Sequence, residues 1–155
     1  MLISLGLMAG CITPPDYPDE PVLTYEGMSK SRMNQGDFNT DSVFIFLSFT
    51  DGDGDIGRAL GDTAKDITVI DTRTGLVQER FRIPEVPEEG TGNGIDGNLT
   101  IRMFNTCCLY DNGFPPCSRN PDQLTDTLSF KIYIKDRSGN ESNRITTDAL
   151  VLDCI

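Results

Sequence analysis

Histidine and tryptophan are both missing from this chain of 155 residues, and bases are scarce: 13 Lys and Arg stand against 24 Asp and Glu, a net charge of -11. Without histidine the commonest general base is gone, and with it the Ser-His-Asp arrangement. No phosphate-cradling glycine loop, dinucleotide fingerprint or nucleophile elbow occurs either. The acidic excess repels phosphates, so nucleic acid is not an expected partner. Carboxylates for glycoside hydrolysis are plentiful, but their turn-rich setting singles out no pair. A hydrolase is the least favoured reading, and a non-catalytic protein is expected. Long apolar runs are absent as well, so no segment has the roughly 20 residues that a membrane-spanning helix needs.

What is present begins with an uncharged, mostly apolar stretch, Met1 to Gly10, ending Met8-Ala9-Gly10-Cys11. An apolar run followed by small residues reads as a secretory signal. Its ending resembles the lipobox of bacterial lipoproteins, with Met8 where that family has Leu. The resemblance implies that Cys11 becomes the lipidated first residue, with palmitate among its acyl chains. It also implies that the lipid anchors the protein at the cell envelope, in the bacterial outer membrane. No Lys or Arg precedes the apolar run, so a translation start upstream of Met1 is expected. Residues 11–20, with Pro14, Pro15 and Pro18, form an acidic, extended tether. Residues 21–155 then make one domain, a length that permits a real core.

Five cysteines leave one odd. With Cys11 set aside, Cys107, Cys108, Cys117 and Cys154 are an even set suited to two disulfides in an oxidising compartment. Zinc would be the rival, but no histidine and no C-x-x-C pair accompanies them. A bond between the vicinal Cys107 and Cys108 would be strained. One of the two is therefore expected to bond Cys117 and the other Cys154.

Alternating, β-branched and aromatic runs predict strands over 21–26, 42–50, 66–71, 76–83, 98–104, 127–135 and 142–152. In the second, Phe44, Phe46 and Ser48 share a face. Leu99, Ile101 and Met103 line one side of the fifth, and Leu128, Phe130, Ile132 and Ile134 point inward from the sixth. Residues 30–41 read as a loop, and no helical periodicity appears. About seven strands between Gly, Pro, Asn and Asp turns predict an all-β antiparallel sandwich. The hairpin around 72–75 followed by a long return resembles the fibronectin type III and immunoglobulin-like arrangement. Alternating strand directions then gather loops 51–65, 84–98 and 136–141 at one pole and the cysteines at the other.

The run Asp51-Gly52-Asp53-Gly54-Asp55-Ile56-Gly57 directly follows the most apolar segment of the mature chain. Carboxylates on a backbone free to bend are what a hard cation such as Ca²⁺ requires. The spacing matches the first half of an EF-hand loop, but Ile56 stands where that loop needs Gly, and no helix flanks it. A strand-to-loop calcium site resembling those of extracellular β modules is expected instead. Asp51, Asp53, Asp55, Asp136 and Asn140 would converge as ligands, with the Ile56 carbonyl as a further one and Glu85, Glu88, Glu89 and Asp96 nearby. The alternative is that Asp and Gly here serve only as turn formers. For a partner, an unknown protein or glycan is expected. Tyr17, Tyr25, Tyr110, Phe114 and Tyr133 are available for sugar stacking. With so few aromatics, a protein-interaction or structural role precedes that of a glycan-binding module of an outer-membrane complex.

Overall fold

A computed structural model describes residues 16–86 and 94–155. Cys11, the signal-like segment, Glu88 and Glu89 lie outside the described residues. Ten strands follow one another: β1 (Val22–Met28), β2 (Arg32–Asn34), β3 (Ser42–Asp51), β4 (Ile67–Asp71), β5 (Val77–Phe81), β6 (Ile95–Phe104), β7 (Thr125–Leu128), β8 (Phe130–Ile134), β9 (Ile145–Thr146) and β10 (Leu150–Asp153). They form three small sheets, ordered β1-β3-β6, β2-β10-β7 and β5-β4-β8-β9. Every pairing is antiparallel except β2 with β10. Among the described residues there is no helix, in keeping with the missing helical period.

The three sheets share one apolar core: β3, β8 and β10 turn alternate side chains toward it, β4 is buried at consecutive positions, and β5 adds only the half-buried Phe81. On β3 the buried set is Val43, Ile45, Leu47 and Phe49. Phe44 and Phe46 do share a face, and it is the outer one, 42% and 40% exposed. There Phe44 lies opposite Arg102 and Phe46 opposite Thr100 on β6. Both faces of this segment are apolar, so alternation alone does not fix its phase. On β8, Phe130, Ile132 and Ile134 all point inward, as the pattern predicts.

Two expected strands prove to be broken. The 127–135 run divides at Ser129: β7 pairs with β10, and β8 pairs with β4. At the break the Ser129 carbonyl accepts bonds from the Thr72 amide and hydroxyl, and Thr147 Oγ1 accepts from the Phe130 amide at 3.0 Å. Side chains thus replace ladder partners where the chain changes sheets. The 142–152 run divides likewise into β9 and β10. Within the expected loop 30–41, β2 buries only Met33 and is held by a parallel pairing to the far end of the chain. So short a polar strand carries no local signal.

Candidate metal centre

Strand parity explains why acids are buried at all. Asp51 is the next inward position after Val43, Ile45, Leu47 and Phe49, and it is 0% exposed. Asp136 continues Phe130, Ile132 and Ile134 in the same way and is 1% exposed. Both strands end at the same pole, so two carboxylates are carried to the edge of the core.

The β3–β4 loop then folds back on Asp51. The Asp55 amide donates to Asp51 Oδ2 at 2.8 Å, which places Asp53 and Asp55 over the strand end. Gly57 adopts a φ of +83°, and a Cβ there would run into the Pro84 carbonyl, so only glycine fits. Beside it the Arg58 amide donates to Ile83 O and the Glu85 amide to Arg58 O, both at 3.0 Å. Buried Asp66 fastens this strap by accepting Arg58 Nε at 2.6 Å and the Ile83 amide at 2.9 Å. Ile56, wholly buried, plugs the loop into the core.

The β8–β9 loop supplies the opposite wall. Asp136 Oδ1 accepts the Gly139 and Asn140 amides at 2.6 and 2.7 Å, and its Oδ2 accepts Asn140 Nδ2 at 2.8 Å. Asn140, expected as a ligand, lies against Asp136 and orients that carboxylate through its Nδ2. Ser138, which no sequence signal singled out, donates to Asp55 Oδ2 through its amide and hydroxyl at 2.8 and 2.7 Å. The Arg137 amide reaches Asp55 O at 3.3 Å, and its guanidinium reaches Gly57 O at 3.1 Å.

The outcome is a cluster of Asp51, Asp53, Asp55 and Asp136, which could hold a metal ion. One carboxylate oxygen from each lies within 4.8 Å of the others. Oxygens sharing a Ca²⁺ shell at 2.3–2.6 Å lie at most about 4.6–5.2 Å apart, so the spread matches. Asp51 Oδ1 and Asp55 Oδ1 are buried and accept no hydrogen bond, while their Oδ2 atoms are anchored. A buried unpartnered carboxylate oxygen is costly, so these two need a positive partner. Among the described residues the neighbouring arginines pair with other acids, Arg58 with Asp62 and Asp66 and Arg137 with Glu85. Burial pushes the Asp51 carboxyl up to about 7, with Asp53, Asp55 and Asp136 adding repulsion against the Asp55 amide bond. Asp53 is raised too, by lost hydration and then by Asp55, Asp136 and Asp19. An all-oxygen donor set without histidine or thiolate fits a hard divalent cation. Of the acids expected nearby, Glu85 faces Arg137 at 4.0 Å, and Asp96 sits on β6 opposite Thr50.

At the far end of β3 the four cysteines meet. Cys107 bonds Cys117, and Cys108 bonds Cys154. Arg73 braces this pole through Asp71 at 2.6 Å, Asp126 at 2.5 Å and the Cys107 carbonyl at 3.1 Å. The two disulfides point to an oxidising, extracytoplasmic compartment. Of the aromatics considered for sugar stacking, Tyr110 is buried edge-on against Phe114, and its hydroxyl is tied to Ser118 O at 2.6 Å. Tyr133 is covered by the Arg144 guanidinium. Compared with known protein families, curated proteins and solved structures, the chain matches none.

Proposed function

We propose that this is a non-catalytic, calcium-stabilised domain of the cell envelope, held to the membrane by a lipid on Cys11 and serving a protein-interaction or structural role. The observation that carries the calcium part is the pair of buried, unpartnered oxygens, Asp51 Oδ1 and Asp55 Oδ1, inside a four-carboxylate shell of calcium dimensions. Four carboxylates outweigh one divalent ion, so the occupied site stays negative. That favours an ion that fixes loops over one that captures an acidic ligand or polarises a substrate. The remaining coordination positions fall to backbone carbonyls and water, the Ile56 carbonyl being the one suggested by the loop's sequence.

In this reading the sheets β1-β3-β6 and β5-β4-β8-β9 are the two halves of an immunoglobulin-like or fibronectin type III-like sandwich. Their strand orders agree with that scheme, and the β3–β4 and β8–β9 loops share one end as it requires. The β2-β10-β7 sheet is an addition at the cysteine pole. A glycan-binding role has less behind it, since Tyr110, Phe114 and Tyr133 are committed to internal contacts.

Melting the full chain in metal-free buffer and in millimolar Ca²⁺ tests the calcium reading. A ligand at 100 times its dissociation constant stabilises by about 2.7 kcal/mol, so the midpoint should rise by several degrees. An unchanged midpoint together with no calorimetric binding heat would remove calcium from the account.

A further inference from the structure

The segment preceding β1 lies against the back of the aspartate loop. The Gly52 amide donates to the Pro18 carbonyl at 2.8 Å. A Cβ on Gly52 would collide with the Tyr17 carbonyl and come within 2.6 Å of Pro18 O. The Tyr17 ring lies across Gly94, where a Cβ would come within 2.7 Å of Cδ2 and 2.9 Å of Asp51 O. Asp19 adds its charge to the field at Asp53. One dipeptide, Asp51-Gly52, therefore faces two ways: its side chain enters the carboxylate cluster, and its following amide holds the tether.

We propose that the cation bound by Asp51, Asp53, Asp55 and Asp136 latches the tether, so that Tyr17–Asp19 are docked on the domain when the ion is present and released when it is removed. The inference rests on the calcium reading above. The physical link is short. Without the ion, four carboxylates repel within one small volume, and the loop relieves that repulsion by spreading. Because Asp51 Oδ2 is bonded to the Asp55 amide, the spreading displaces residues 51–55 together and moves the Gly52 amide away from Pro18 O. An ion that binds the compact loop best must then favour the docked tether, and docking must favour the ion by the same factor. The latch would set how freely the domain pivots about whatever lies N-terminal to it.

Hydrogen exchange of the full chain, with and without Ca²⁺, reads the latch directly, and calorimetry on the same samples reads ion binding separately. The docking bond is donated by Gly52, so the expected result is at least tenfold greater protection of the Gly52 amide when Ca²⁺ is present. Two variants break docking without touching a carboxylate. Gly52→Ala clashes with the tether backbone, and Tyr17→Ala removes the ring from Gly94. Both should bind Ca²⁺ several-fold more weakly, and Tyr17→Ala, which truncates a half-buried side chain outside the strands, guards against a folding defect in the other. Calcium binding with unchanged protection of the Gly52 amide, or with unchanged affinity in Tyr17→Ala, would overturn the latch and leave the calcium reading standing. Absence of calcium binding would overturn both.

Discussion

Asp51 concentrates the chemistry of this protein in one side chain. Its folded-state carboxyl is raised from 3.8 to about 7, by burial and then by Asp53. In the metal-free protein this group therefore favours the fold in its protonated form. That contribution is full below about pH 4 and is lost as pH rises through about 7. Calcium reverses the preference by binding the ionised form. Metal-free protein should melt lower at pH 8 than at pH 5, whereas the rise in midpoint on adding Ca²⁺ should be larger at pH 8. Asp51→Asn keeps an acceptor for the Asp55 amide but removes the charge. It should raise the metal-free midpoint at pH 8 by an amount corresponding to a few kcal/mol, erase most of the calcium effect, and differ little from the parent at pH 5. Thermal scans at the two pH values decide this. Equal midpoints for variant and parent at pH 8 without metal would show that Asp51 carries no electrostatic penalty.

At the scale of elements, β3 decides where that carboxylate goes. The segment is apolar on both faces, and the inward one is odd-numbered: Val43, Ile45, Leu47, Phe49 and then Asp51. The assignment has a direct consequence for stability. Ile45→Ala should cost about 2–5 kcal/mol, the range for deleting a buried aliphatic side chain. Phe44→Ala, on the half-exposed outer face, should cost well under half as much. Denaturant titration of the two variants measures the difference, and a reversal would put the even face inside. Clean alternation made β6 and β8 readable, whereas β3 presented two apolar faces and its register with β1 and β6 had to choose. The breaks at Ser129 and before Leu150 were hidden for another reason. They depend on hydrogen bonds that Thr72 donates to Ser129 O and that Thr147 Oγ1 accepts from the Phe130 amide, partners 57 and 17 residues apart, so no strand-length window contains both.

Across the whole molecule, β3 separates an acidic pole from a covalent one. The Cys108–Cys154 bond closes a separation of 46 residues and Cys107–Cys117 one of 10. By loop-closure entropy the first is worth about 4 kcal/mol and the second about 3 kcal/mol. Replacing Cys108 and Cys154 by Ser should therefore destabilise more than replacing Cys107 and Cys117. The calcium-induced rise should survive in the second double variant, because the loops that hold the ion are strapped by Asp66 and Ser138 rather than by the disulfides. Parallel melts of both variants, with and without Ca²⁺, check the ranking and the independence together. Composition and alternation alone were enough to specify an all-β chain, four C-terminal cysteines able to pair and an acidic loop after an apolar strand, since each is a property of residue types and their spacing. That Asp51 and Asp136 are buried side by side, with one oxygen of Asp51 and one of Asp55 left unpartnered, was decided by tertiary structure. Burial of a charge depends on which face of β3 and β8 turns inward and on which loops meet, and only the packed sheets fix both.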